Sequence, residues 1–77
     1  MNRKTSFPAV WQGLSGAQRS ELRIRIIAEV RVSDVTLYRW QRGMCIPDNY
    51  PTRAAVAGVV SKFTGRDLTA EDLFPDR

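Results

Sequence analysis

The side chains best suited to chemistry lie in one short segment, residues 32–43. Ser33 is a favourable helix N-cap, because its hydroxyl accepts a hydrogen bond from a first-turn amide that otherwise lacks a partner. Gly43 tolerates the positive φ at which many helices end. Leu37 and Trp40 are three residues apart, so they share one face of the intervening helix. The segment therefore predicts a short helix that buries one apolar face and exposes its polar side chains.

The exposed side chains of this helix have the chemistry of nucleic-acid contacts. Arginine forms forked hydrogen bonds with phosphate and with the guanine edge, while hydroxyl and phenol groups bind phosphate. A helix of this kind fits the major groove of double-stranded DNA. The predicted DNA-binding residues are Arg31, Ser33, Asp34, Val35, Thr36, Tyr38, Arg39 and Arg42.

Several of these residues have an alternative role without DNA. Ser33 caps the helix, and Asp34 either accepts from a cytosine amino group or only interacts favourably with the helix dipole. Val35 either contacts a thymine methyl group or packs half-exposed. Tyr38 either donates to a phosphate or packs on the following loop. At each of these positions the residue type leaves both roles open.

Arg39 and Arg42 lie three residues apart, so both can face the DNA, one on a guanine edge and the other on phosphate. The alternative is a pair of solubilising arginines tied to Asp48 in the following loop. Arg31, which precedes the helix, is a further candidate for phosphate.

The charge distribution favours a polyanionic partner. The chain has 77 residues and a net charge of +4. Residues 1–53 carry nine basic and four acidic residues, a balance of +5, whereas residues 54–77 carry three basic and four acidic residues, a balance of −1. Positive charge therefore surrounds the segment, as a DNA-binding surface requires. The alternative is a solvated basic face without a partner.

The composition excludes several classes of chemistry. The chain has one cysteine, Cys45, and no histidine, so an intramolecular disulfide, imidazole catalysis and His-ligated zinc are excluded. Cys45 is expected to be a half-buried loop residue. No nucleophile–base pair, metal cluster or phosphate-binding loop can be assembled, so the sequence predicts no enzyme, no cofactor and no small-molecule ligand.

The sequence shows no membrane or secretion signal. Its longest apolar stretch, residues 54–60, is far too short to span a bilayer. Arg3 and Lys4 have no apolar segment behind them, so they do not begin a secretory signal. A cytoplasmic location is therefore expected.

A short first helix is predicted to begin at Ser6 and Pro8, because proline is well tolerated in a first turn. It ends around residues 13–15. Its aromatic residues, Phe7 and Trp11, are expected to pack in the core.

The second helix is predicted to begin at a capping box formed by Ser15 and Gln18. Its apolar residues recur at helical spacing and form one buried stripe. The stripe consists of Leu22, Ile26, Ile27 and Val30. A secondary strip, formed by Ile24 and Ala28, is expected to contact the first helix.

Two helical segments are predicted after residue 43. A fourth helix begins near Tyr50–Pro51 and stops at Gly65. Its buried residues are Val56, Val59, Val60 and Phe63. A final turn starts at residues 69–72 and carries Leu73 and Phe74.

Together these elements predict an all-α fold, a compact bundle of four to five helices that contains a helix-turn-helix. Residues 1–5 are expected to form a flexible basic tail. Residues 6–77 form the domain, with the helix-turn-helix at about residues 19–43.

A longer pattern runs through and beyond the segment. It consists of Val32, Ser33, Thr36, Leu37, Tyr38, Trp40 and Gly43, followed by Pro47 and a further apolar helix. This pattern resembles the helix-turn-helix domains of the lambda-repressor/Cro-like family, especially small bacterial proteins that often end in Leu-Phe-Pro, as at residues 73–75. The resemblance covers about residues 14–75. It implies that residues 33–42 form the recognition helix and that the preceding motif helix is the C-terminal part of residues 19–30.

Two positions depart from the pattern usual in that family. The family often has alanine where this chain has Ile27, which implies a slightly wider helix separation. It often has glycine at the turn where this chain has Arg31, so Arg31 must adopt the conformation that glycine usually supplies. The resemblance implies a small transcriptional regulator of the repressor type, from a bacterium or a phage, that binds double-stranded DNA.

Two other classes of protein remain open. The DNA-binding tails of resolvases and transposases share the core pattern, but they end soon after the recognition helix. A helical protein-interaction or antitoxin-like module without DNA binding is the other alternative, and an exposed apolar patch around Phe74 would favour it. A repressor would normally act as a homodimer on a two-part site, paired through the fourth helix or through Leu73 and Phe74.

Overall fold

Five α-helices and their connections form the part of the chain that the structure, a computed structural model, describes, residues 6–75. The helices are α1 (Phe7–Gln12), α2 (Gly16–Val30), α3 (Asp34–Gln41), α4 (Tyr50–Thr64) and α5 (Ala70–Leu73). No β-strand occurs within these residues. The predicted all-α fold is therefore confirmed. The predicted basic tail, residues 1–5, lies outside the described residues.

Each helix begins at a side chain that caps it. The capping residues are Ser6, Ser15, Ser33, Asn49 and Thr69. Each side-chain oxygen accepts a hydrogen bond from the backbone amide three residues on, a contact worth about 1 kcal/mol. The predicted capping box of α2 is present, because Gln18 also accepts from the Ser15 amide at 2.9 Å. The predicted starts of α1, α2 and α3 are confirmed.

The ends of α3 and α4 fall at the predicted glycines. Gly43 follows the C-cap of α3 with φ 73°, and Gly65 is the C-cap of α4 with φ 74°. Both values lie in the left-handed region that glycine adopts without steric cost.

An aromatic cluster joins the two ends of the described chain next to α3. The ring centroids of Phe7 and Phe74 are 5.6 Å apart, and those of Trp40 and Phe74 are 5.9 Å apart in an edge-to-face arrangement. Trp11 lies 5.9 Å from Phe7. Leu73 and Phe74 are both buried, with Phe74 only 2% exposed. The exposed apolar patch around Phe74 that would favour an interaction module is therefore not present, and neither side chain is exposed for pairing with a second copy, because both fill the core.

A second part of the core lies between α2 and α4. The fully buried residues here are Leu22 and Ile26 of α2 and Val56 and Val60 of α4. The half-buried residues that pack against them are Ile27, Val30, Val59 and Phe63. Both predicted apolar stripes therefore face the core as expected. Ala57 is buried as well, which the predicted stripe of α4 did not include.

The strip formed by Ile24 and Ala28 lies beside α4, so its predicted contact with the first helix is wrong. Both residues line a groove whose other wall contains Ala55, Gly58 and Val59 of α4. The physical reason is that α1, with only six residues, packs on α3. This side of α2 is therefore left to the longer α4.

The loop between α3 and α4 exposes Cys45, so the prediction of a half-buried side chain is wrong. Its neighbours Ile46 and Pro47 make the contacts with the interior instead. Cys45 thus lies on the surface, as does its other neighbour Met44.

Candidate nucleic-acid interface

The helix α3 has one buried face and one exposed face. Leu37 and Trp40 are buried in the core. On the other side, Val35 is 59% exposed and Tyr38 is 52% exposed, and both arginines next to them along the helix are exposed. These four residues, Val35, Tyr38, Arg39 and Arg42, are called here the outward face of α3. The predicted division of the helix into two faces is confirmed.

A three-residue connection, residues 31–33, fixes α3 to α2. Arg31 has φ 64° and ψ 53°, the left-handed conformation, and is the C-cap of α2. It is the only non-glycine residue with positive φ among residues 6–75. The expectation that Arg31 takes a conformation usual for glycine is therefore confirmed. The Arg31 side chain is exposed immediately before the start of α3.

Ser33 and Thr36 form a hydrogen-bonded pair at the N-terminus of α3. The Ser33 hydroxyl accepts from the Thr36 amide at 3.1 Å and donates to the Thr36 hydroxyl at 3.0 Å. Ser33 therefore caps the helix as predicted. A contact of either hydroxyl with DNA stays a prediction, and Thr36, which is half-buried, offers less surface for it.

Asp34 has a partner that the sequence did not reveal. Arg23 of α2 donates to the Asp34 carboxylate at 2.6 Å, and both side chains are largely exposed. An exposed ion pair contributes only about 0–1 kcal/mol to stability. Its effect on the site is electrostatic, because Arg23 offsets the negative charge that Asp34 brings next to the outward face. Nothing in a separation of 11 residues predicts this pair.

Tyr38 and Arg42 contact each other on the outward face. Arg42 Nη1 donates to the Tyr38 phenol oxygen at 3.2 Å, and the guanidinium carbon lies 5.7 Å from the ring centroid. Spacing of four residues on a helix brings such side chains together. The Tyr38 ring thus lies beside an arginine, and a contact of its phenol with phosphate stays a prediction.

Arg39 and Arg31 have exposed side chains without a hydrogen bond or ion pair to any other residue in the range 6–75. Within that range the ion pairs join Arg23 to Asp34 and Arg25 to Glu21. The alternative in which Arg39 and Arg42 are tied to Asp48 is therefore wrong.

The arrangement combines three kinds of contact that a DNA groove can use. Free guanidinium groups can bind phosphate or the guanine edge, the Val35 methyl groups can contact a thymine methyl, and the Tyr38 phenol can bind phosphate. These groups lie on a single short helix, and the buried side chains Leu37 and Trp40 hold that helix against the core. For residues 6–75, no cluster of three or more cysteine or acidic side chains is placed to hold a metal ion.

Comparison with known proteins adds no relative: no family model, curated protein or solved structure matches this chain. The helices between residues 6 and 75 include none that is long and apolar enough to cross a membrane.

Proposed function

We propose that this chain binds double-stranded DNA in a sequence-specific manner and acts as a small transcriptional regulator of the repressor type. The observation that carries the proposal is the outward face of α3. It presents two arginines, a tyrosine and a valine, while Leu37 and Trp40 on the opposite face are buried in the core. The three-residue connection to α2 supports a helix-turn-helix arrangement, in which the second helix enters the major groove.

The dimensions of α3 suit a major groove. An α-helix with its side chains is about 10–12 Å across, which matches the major-groove width of about 12 Å. In this position Val35 contacts a thymine methyl group, and Arg39, whose guanidinium is free, reads a guanine edge. Arg42, held by Tyr38, contacts phosphate or a second base.

Phosphate contacts on either side hold the helix in register. Arg31 lies just before α3, where the free amides of the helix N-terminus also favour negative charge. Asp34 would repel a phosphate at this end, but its ion pair with Arg23 reduces that repulsion. Repression then follows from occupancy, because a bound protein excludes others from the same stretch of DNA.

The proposal is tested by titrating random duplex DNA at increasing salt concentration, with the wild type and the double variant Arg39→Ala/Arg42→Ala. Each phosphate contact contributes about 0.9 to the slope of log K against log salt. We expect steep salt dependence in the wild type, and in the variant a weaker affinity with a slope smaller by about 1–2.

The matched control is Arg66→Glu, which lowers the net charge by the same two units at an exposed residue just after α4. It should lower the affinity much less and leave the slope nearly unchanged. A folded wild-type chain without DNA binding at low salt would refute the proposal. The helical protein-interaction module would then become the leading alternative.

A further inference from the structure

An open apolar groove runs between α2 and α4, with a volume of about 440 Å³. The apolar residues that line it are Ile24, Ala28, Ala55, Gly58 and Val59. Ile24 is 63% exposed, the second most exposed large hydrophobic residue after Met44 among residues 6–75. A partner that covers apolar surface of this kind removes it from water, and this burial stabilises the complex.

The groove lies on the side of α2 away from α3. Arg23 pairs with Asp34 of α3, whereas Arg25 lies 5.7 Å from the ring centroid of Phe63 in α4. Two residues that are two positions apart on a helix point in directions about 200° apart. A partner seated in the groove therefore leaves the outward face of α3 uncovered.

The charged residues beside the groove alternate in sign along α2. Glu21, Arg25 and Glu29 follow each other at intervals of four residues. Arg25 donates to Glu21 at 2.9 Å, while Glu29 has no ion pair with another residue in the range 6–75. Lys62 supplies a further positive charge from α4. With two acidic and two basic residues, the rim has no net charge and does not favour a strongly charged partner.

We propose that the groove binds a second copy of this chain, with the two α2 helices antiparallel about a two-fold axis. When the two-fold axis passes midway between positions 25 and 29, position 25 of one copy faces position 29 of the other. Arg25 of each copy therefore meets Glu29 of the other. Ile24 of each copy then approaches the small side chains of the opposite groove, including Ala28. One surface supplies both halves of the interface, as an isologous dimer requires.

The interface is small, so the dimer is weak. A helix of 15 residues is about 22 Å long, which limits the contact to the lower end of the range for specific interfaces. We expect a dissociation constant of about 10–100 µM. The pairing needs no DNA, so it goes beyond the proposed function and is tested without it.

The test is sedimentation equilibrium of the full chain, without DNA, from about 1 µM to about 1 mM. The wild type should pass from monomer to dimer over this range. Ala28→Glu, which places a larger, charged side chain in the groove, should weaken dimerisation at least about tenfold. The control Ala17→Glu makes the same change on an exposed residue of α2 outside the groove and should dimerise like the wild type.

A charge exchange tests the orientation of the two copies. Arg25→Glu and Glu29→Arg should each weaken the dimer, and the combined variant should recover most of the loss. A wild type that remains monomeric at about 1 mM, or Ala28→Glu dimerising as well as the control, would overturn the proposal. A combined variant weaker than both single variants would overturn the antiparallel arrangement. None of these results depends on whether the chain binds DNA.

Discussion

Arg31 combines a strained backbone with a free positive charge. The left-handed conformation costs a non-glycine residue about 1–2 kcal/mol, and Arg31 adopts it with φ 64°. Glycine would relieve this strain at some cost in chain entropy. We therefore predict that Arg31→Gly raises the free energy of unfolding by about 0.5–1 kcal/mol, measured by urea denaturation. The same variant should bind DNA more weakly, since one phosphate contact is lost.

Arg31→Ala separates the two effects. It removes the charge but keeps a side chain in the left-handed conformation, so it should lose DNA affinity without gaining stability. If Arg31→Gly bound DNA as tightly as the wild type, Arg31 would have no place in the interface. The presence of arginine rather than glycine at this turn would then need a different explanation.

The residue-level contacts divide into those that local spacing predicts and those that it does not. Ser33 as a cap and Leu37 with Trp40 as a buried face follow from intervals of three residues along one helix. The Tyr38–Arg42 contact, with its interval of four, could have been predicted by the same rule. The ion pair of Arg23 with Asp34 could not, because it depends on how α2 and α3 are oriented, which the turn at residue 31 determines.

At the scale of elements, α3 depends on its cap, because a helix of eight residues is too short to be stable alone. Ser33→Ala removes the hydrogen bond to the Thr36 amide. We predict a loss of about 1 kcal/mol in the free energy of unfolding, measured by thermal or urea denaturation. Ser20→Ala, an exposed position within α2, serves as the control and should change stability by less than about 0.5 kcal/mol. Equal losses in both variants would contradict a specific role for the cap.

Helix boundaries were predictable from the sequence because caps and terminal glycines act within a few residues. Which helices pack against each other was harder to predict from the sequence. Ile24 and Ala28 face α4 rather than α1, since the short α1 packs on α3 instead. The burial of Ala57 was not predicted for a different reason: a small residue contributes little to an apolar pattern, even where another helix covers it.

At the scale of the whole molecule, Phe74 connects the C-terminal turn with both α1 and α3. Its ring lies against Phe7 and Trp40, and its side chain is almost fully buried. We predict that Phe74→Ala lowers the free energy of unfolding by about 3–5 kcal/mol. Small domains are stable by about 5–15 kcal/mol, so circular dichroism should show a large fall in Tm or a mostly unfolded chain.

Met44→Ala is the control for this truncation. Met44 is exposed, so its loss should change the free energy of unfolding by no more than about 0.5 kcal/mol. Should Phe74→Ala be as stable as Met44→Ala, the aromatic cluster would not hold the two ends of residues 6–75 together. The resemblance matched residues 73–75 to an ending common in small bacterial proteins of that type, but it did not predict that these residues pack beside α3.

The position of Phe74 also has a consequence for translation. The last residue of α3, Gln41, is synthesised 33 residues before Phe74, since 74 − 41 = 33. At roughly 5–20 residues per second, this interval lasts about two to seven seconds. From the addition of Arg42 onward, the nascent chain carries every side chain of the outward face, but not the aromatic ring that completes the packing of Trp40. A chain shortened by a premature stop codon or by a protease before Phe74 would remain in that state permanently.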